Sequence, residues 1–451
     1  MELRRIILGH FLVISLALNM GLLYRDYYYN GNRKPQDVFT FKNKGKNASL
    51  YAKRDAHLGK RTFLEASKAS SSSSSSSTVL DEVIDLDHGD PTMYERYWQQ
   101  MGDKTTVVIP GWKFISYFSD VSNICWFLEP EFASAVFRLH NLVGNAATED
   151  RHIVVGTGST QLYQAVLYAL SAPNATEPIS VVSVAPFYSS YPLITDFLKS
   201  GLYTWAGDAR KFKLDKPYIE LVTSPNNPDG FTREPIVNQN HGTLVHDLAY
   251  YWPQYTAISS RADHDIMLFT VSKSTGHAGT RLGWALVKDR EIAKKMTEFV
   301  MLTTIGVSKE SQLRAAKILQ VISDSHEQKV SKESEAFFDH NYNLMTRRWQ
   351  QLKNAVKASN LFSLPDLPTE KCAFSGRTFA TQPAFAWLKC EGEIDDCENF
   401  LRGHKIITRG GKHFGDSNKF VRISMLPRDE VFDKFIEQLS IISSLPSSKD
   451  R

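Results

Sequence analysis

LFTVSKSTGHAGTRLGWALV, residues 268–287, sets Lys273 between two apolar runs and follows it with Gly276, Gly279 and Arg281. The first run has the length and the β-branched and aromatic content of a buried strand, closed by a glycine-rich turn. Desolvation at such a strand end disfavours an ammonium, so the amine of Lys273 is expected to have a depressed pKa and to be a nucleophile. Arg281, held after the turn, offers a fixed fork suited to phosphate.

Outward from this stretch, apolar runs alternate with helical patterns from residue 150 onward: RHIVVGTGSTQLYQAVLYAL, ISVVSVAPF, YIELVTSPNNPDG, GTLVHDLAYYW and IMLFTVSK. Strand followed by helix, repeated, predicts an α/β fold built on a mainly parallel sheet with covered faces. In such sheets ligands collect at the carboxyl ends of the strands. The polar residues at those ends are therefore the candidates for chemistry.

In HIVVGTGSTQLYQ the strand stops at Gly156, turns through Thr157 and Gly158, and restarts as a helix at Ser159 and Thr160. The first amides of that helix can donate to phosphate oxygens. A tight turn with no ligand would read the same way, and the motif is neither a Walker loop nor a full G-x-G-x-x-G. In LVTSPNNPDG two X-Pro steps and Asp-Gly turn the backbone sharply and hold Asn227 just before Pro228. The strand GTLVH ends in Asp247, with Tyr250 shortly after. A buried carboxylate needs a cation or strong donors; a solvated helix cap is the alternative.

Pyridoxal phosphate meets these demands together. Its aldehyde suits the amine of Lys273, its ring nitrogen needs a carboxylate such as Asp247, and its phenolic oxygen wants donors, Asn227 and Tyr250. Its phosphate suits Arg281, hydroxyls and helix amides. No metal ligand set is expected.

At 451 residues, 42% hydrophobic and 23% charged, the chain suits a large α/β domain with a smaller one appended. The net charge of +4 comes from mixed charges, which excludes a case for a nucleic-acid or polyanion partner. Cys125, Cys372, Cys390 and Cys397 form no C-x-x-C pair and no dense framework. Free buried thiols are the favoured expectation, with a disulfide among the last three as the alternative.

Residues 6–23, IILGHFLVISLALNMGLL, are just long enough to span a bilayer and lie between Arg4–Arg5 and a tyrosine-rich stretch. A single-pass anchor over residues 1–24 is expected in preference to a cleaved signal peptide or an amphipathic segment. The basic residues on its two sides lean toward a cytosolic body. Residues 25–80, closing on serines 70–77, read as a flexible tether. The sequons at Asn47 and Asn174 matter only if the body is lumenal.

SPNNPDG, HDLAYYWPQY and SKSTGHAGTRLGWALV resemble fold-type I aminotransferases. With LDHGDPTMYERYW, SYFSDVSNICWFLEPE, VVGTGSTQLYQA and VRISML, the chain is similar along residues 84–427 to the plant alliinase and tryptophan aminotransferase-related family, and its front resembles the membrane-anchored branch. The resemblance implies a large cofactor-binding domain with an N-terminal arm (81–310) and a small C-terminal α+β domain (311–447). It implies that Lys273 joins the cofactor aldehyde and that Asp247 pairs with the ring nitrogen. Asn227 and Tyr250 would hold the phenolic oxygen, and Ser159, Thr160, Thr270, Ser272 and Arg281 would gather round the phosphate. Tyr117 would reach the phosphate of a neighbouring subunit in a homodimer, and Arg422 would bind the substrate α-carboxylate. Phe187 or Tyr188 would lie over the ring, with core packing the alternative.

The activity implied is transfer of the amino group of L-tryptophan to a 2-oxo acid such as pyruvate, giving indole-3-pyruvate in auxin biosynthesis, at the endoplasmic reticulum membrane. Two rivals stand beside it. An alliinase-type C–S lyase would use the same lysine and cofactor, but alliinases carry a cysteine-rich segment ahead of the catalytic body and residues 25–80 contain no cysteine. A non-catalytic anchored binding module would have little need for a desolvated lysine beside Asp247 and Arg281.

Overall fold

A seven-stranded sheet organises the larger part of the protein, its strands lying side by side in the order 152–156, 283–287, 266–270, 242–247, 218–223, 179–183 and 203–208. The computed structural model describes residues 82–172, 176–237, 239–327 and 336–444. The apolar run at 6–23, the serines at 70–77, Asn47 and Asn174 lie outside the described residues. Among the described residues, no helix is long and apolar enough to cross a membrane.

The strands, after a short β1 (Ile84–Asp85), are β2 (His152–Gly156), β3 (Ile179–Ser183), β4 (Tyr203–Asp208), β5 (Tyr218–Thr223), β6 (Gly242–Asp247), β7 (Ile266–Thr270) and β8 (Gly283–Val287). All residues of β5, β7 and β8 are buried, as a sheet covered on both faces requires. Pairings among β3 to β7 are parallel, and β8 runs antiparallel to both β7 and β2. The expected mainly parallel α/β sheet is therefore present, with one reversed strand.

That reversal has a local cause. The connection from β7 to β8 holds only a four-residue helix, Val271–Ser274, and a 3₁₀ turn, Ala278–Thr280, too little to carry the chain back for a parallel strand. Thr270 thus pairs with Gly283, and the returning chain brings Arg281 beside the end of β7. Gly283 tolerates no side chain, since a Cβ there would stand 2.8 Å from the Phe269 carbonyl and the Ser159 amide.

A smaller antiparallel sheet follows, in the order Arg409–Gly410, Phe420–Ser424, Phe385–Cys390, Phe362–Ser363. Helices Phe337–Lys357 and Asp429–Ser444 pack against each other beside it. Helix Lys309–Glu327 packs along Pro130–Val143. The N-terminal segment joins the smaller part: β1 pairs in parallel with Ile406–Ile407, and the Leu86 carbonyl accepts from the Ser424 amide at 3.0 Å. Residues 87–92 are thereby laid past the strand that carries Arg422.

The favoured expectation of four free thiols is corrected. Cys390 ends one strand, Cys397 opens helix Cys397–Gly403, and their Cα atoms lie 5.5 Å apart, within reach of the disulfide they form. Cys125 and Cys372 are free and buried.

Candidate active site

At the carboxyl ends of the strands a cavity of about 190 Å³ is walled by residues from five separate stretches of chain. Ser159 and Thr160 come from the start of helix Gly158–Leu170, Asn227 from the turn after β5, and Asp247 and Tyr250 from the end of β6. Thr270, Ser272, Lys273 and Arg281 come from the turn between β7 and β8. The sequence placed Lys273 at a strand end; it sits one step beyond, on the single helical turn that Thr270 caps by accepting from the Ser272 amide.

Each wall residue is held by its neighbours. The N-cap Thr157 side chain makes no capping bond to helix Gly158–Leu170, and the Gln161 side chain accepts from the Thr157 amide at 2.7 Å. Gly158 has φ +74°, and a Cβ there would stand 2.6 Å from Nη2 of Arg281, so the guanidinium rests against bare backbone. Asp247 is no helix cap: Oδ1 accepts from the Ala249 amide at 3.1 Å and Oδ2 from the Tyr191 hydroxyl at 2.8 Å. Burial raises the Asp247 carboxyl above its ordinary value, and those two donors only partly offset the rise. Nζ of Lys273 donates to the Gly89 carbonyl at 2.6 Å. Burial, then the charge of Arg422, lowers that amine to about 8. Asp247 and Lys273 are enclosed by protein yet keep part of their surface open to the cavity.

Arg422 stands beside the cavity rather than in its wall. It donates from Nη1 to Oδ1 of Asn227 at 3.1 Å and from Nη2 to the Asp87 carbonyl at 2.6 Å. Its guanidinium lies 4.1 Å from the Phe385 ring centre, and among the described residues its Nε has no hydrogen-bond partner and the group forms no ion pair. Burial and the nearby Arg409 bring it down to about 10, so it stays charged at neutral pH. With Oδ1 of Asn227 committed to Arg422, the amide nitrogen remains to donate; it lies 3.5 Å from the Tyr250 hydroxyl.

Two candidates lie elsewhere. Tyr117 is 67% exposed and does not line this cavity. Phe187 packs against Trp205, ring centres 4.9 Å apart, whereas Tyr188 lines the cavity. Sequence reasoning did not single out Tyr191, Thr223 or the 87–89 backbone. LDHGDPT was visible as a motif, but nothing in its spacing says that its carbonyls meet Lys273 and Arg422.

The family profile described as "Allinase" matches residues 84–443. A protein named tryptophan aminotransferase-related protein 2 from Arabidopsis thaliana is 56% identical over 438 residues, 95% of this chain and 96% of that protein. The chain belongs to the alliinase family. Alliin lyase from Allium cepa var. aggregatum, another member, is 36% identical over 371 residues, 79% of this chain and 81% of that protein. A solved aminotransferase from Staphylococcus aureus aligns with TM-score 0.56 at 20% identity, covering 81% of this chain and 95% of that one. The fold is that of the fold-type I enzymes.

Alliinase-family and fold-type I enzymes depend on pyridoxal phosphate, and the donor set of this alliinase-family chain suits that group. It offers an amine lowered toward neutrality, a carboxylate that pairs with no cation among the described residues, and a helix start whose N-cap side chain makes no capping bond, with Arg281 pressed against Gly158. These are an aldehyde's partner, a pyridinium's partner and an anion's cradle.

Proposed function

We propose that this chain is an aminotransferase that moves the amino group of L-tryptophan to a 2-oxo acid, pyruvate foremost, releasing indole-3-pyruvate for auxin biosynthesis. The observation that carries the proposal is a lysine amine lowered to about 8 in the cavity wall together with a guanidinium behind that wall, bonded to Asn227, that forms no ion pair among the described residues. The tryptophan aminotransferase-related name of the more similar relative supports the donor.

When bound, pyridoxal phosphate supplies an aldehyde that takes up the substrate's amine and a ring that draws electron density from the α-carbon. Arg422 binds the α-carboxylate and so aims the Cα–H bond. Nζ of Lys273 would accept the α-proton and carry it away from the α-carbon, since its return there would only regenerate the amino acid. Asp247, oriented by Tyr191 and the Ala249 amide, would pair with the ring nitrogen and favour its protonated form. Asn227 and Tyr250 would donate to the phenolic oxygen, while Ser159, Thr160, Thr270, Ser272 and Arg281 would hold the phosphate.

The active unit in this proposal is a homodimer in which Tyr117 of each subunit reaches the other's cofactor phosphate. Exposure of Trp112, Ile115, Tyr117, Phe118 and Val121 in one stretch supports an interface there. Residues 1–24 anchor the chain in the endoplasmic reticulum membrane by a single pass.

The test uses purified full-length protein loaded with cofactor. Tryptophan with pyruvate is expected to yield indole-3-pyruvate and alanine. Pyruvate and ammonia from an S-alkylcysteine sulfoxide, with no product from tryptophan, would replace this proposal with the lyase.

A further inference from the structure

Arg409 and Arg422 are direct partners on neighbouring antiparallel strands, so their side chains share one face of the small sheet. Two like charges so placed repel unless one is compensated, and the protein treats them differently. Arg409 makes a two-pronged pair with Asp87, Nε to Oδ1 at 2.6 Å and Nη2 to Oδ2 at 2.9 Å, and its remaining arm reaches the Ser189 hydroxyl at 3.2 Å. Arg422 receives from the same Asp87 only a neutral main-chain carbonyl. One residue thus neutralises the first guanidinium with its side chain and leaves the second charged.

The pair stays ionised. Burial pushes the Asp87 carboxyl up, but the hydrogen bonds and charge of Arg409 outweigh this and hold it below its ordinary value. The same bonds push Arg409 up. Arg409 stands behind the cavity wall, beside Arg422 and bonded to Ser189, the residue that follows the wall residue Tyr188. A substrate's α-carboxylate can meet Arg422. A second carboxylate, carried on the side chain, would meet a guanidinium already answered and the Asp87 carboxylate beside it, an unfavourable desolvation with no cation in return.

We infer that Asp87 is a specificity-determining residue: by occupying Arg409 it excludes dicarboxylic amino acids and oxo acids and restricts the site to monocarboxylic ones. This deepens the proposed function and rests on its assignment of Arg422 to the α-carboxylate. It goes beyond it by naming the class of acceptor refused. The contact between Arg422 and residue 87 is made by backbone, so Asp87→Asn removes the charge while keeping that contact.

The experiment titrates cofactor-loaded, full-length protein with the unreactive acids propionate and glutarate by calorimetry. In parallel, tryptophan turnover is compared with pyruvate and with 2-oxoglutarate as acceptor. Wild type is expected to prefer propionate and pyruvate. In Asp87→Asn the glutarate-to-propionate affinity ratio should rise roughly tenfold or more, with the gain for 2-oxoglutarate appearing in KM rather than kcat. Arg409→Gln alone, which strands the Asp87 carboxylate, should move the ratio the opposite way and decides the matter even if Asp87→Asn does not fold. The double variant should lose the gain. A ratio unmoved in Asp87→Asn or Arg409→Gln, a gain that persists in the double variant, or a wild type that takes 2-oxoglutarate as readily as pyruvate would overturn the inference. Should tryptophan prove not to be a donor, the proposed function fails on its own, and the glutarate titration still reads the role of Asp87.

Discussion

Tyr191 donates its hydroxyl proton to Oδ2 of Asp247 at 2.8 Å and is itself in contact with the Thr223 hydroxyl at 2.7 Å. Helix Ser190–Phe197 and strands β5 and β6 thus converge on one carboxylate. The phenol, with the Ala249 amide, favours the charged form of this carboxylate against the effect of burial.

Tyr191→Phe keeps the ring, and with it the packing on Tyr163 and Tyr188, but removes that donor. Losing a bond to the charged form raises the Asp247 carboxyl further above its ordinary value. Turnover is expected to fall by about tenfold, with the acid limb of the kcat profile moved to higher pH. A pH–rate series on wild type and variant checks both.

Lys273 makes the stability of the cofactor-free protein depend on pH. Its amine titrates near 8 in the folded state against an ordinary 10.5. Between those values the unfolded chain binds a proton that the folded chain does not, so stability rises with pH across that window. Below about 8 both forms are protonated and the burial penalty is fully present. Thermal unfolding should therefore find Lys273→Met more stable than wild type at pH 7, with the gap narrowing as the pH approaches 10. A gap that widens with pH would contradict the lowered amine.

Much of the fold and site was legible because the signals are local. Alternating apolar runs gave the parallel strands, and Lys273, Asp247, Asn227 and Arg281 each stand at a run's end, where the sheet delivers them to one cavity. What stayed hidden depends on contacts between distant segments. The reversal of β8, the Asp87–Arg409 pair and the bond from Tyr191 to Asp247 join residues whose separations carry no periodic signal. Phe187 and Tyr188 are adjacent aromatics, and only the packing of Phe187 against Trp205 decides which one turns to the cavity. The Cys390–Cys397 disulfide follows from a strand end meeting a helix start, which composition cannot foretell.

Gly158→Ala tests the anion cradle. The new methyl would meet Nη2 of Arg281 in a backbone conformation that alanine resists, at a cost of about 1–2 kcal/mol. Displacing Arg281 should weaken cofactor binding by roughly tenfold, measured by titration of the cofactor-free protein with pyridoxal phosphate. Gly279→Ala, whose Cβ would meet nothing within 4 Å, is the matched control and should bind normally.

Thiol counting tests the disulfide. Alkylation after denaturation without reductant should label two cysteines, Cys125 and Cys372, and all four only after reduction. Four labelled thiols without reductant would mean the pair is open.

The most direct test of the account is to treat the cofactor-loaded protein with borohydride, digest it and locate the pyridoxyl group by mass spectrometry. The expected result is a single modified residue, Lys273, with the cofactor's visible absorbance lost and no label in Lys273→Ala. Label on any other lysine, or none on Lys273 in fully loaded protein, would contradict the central claim.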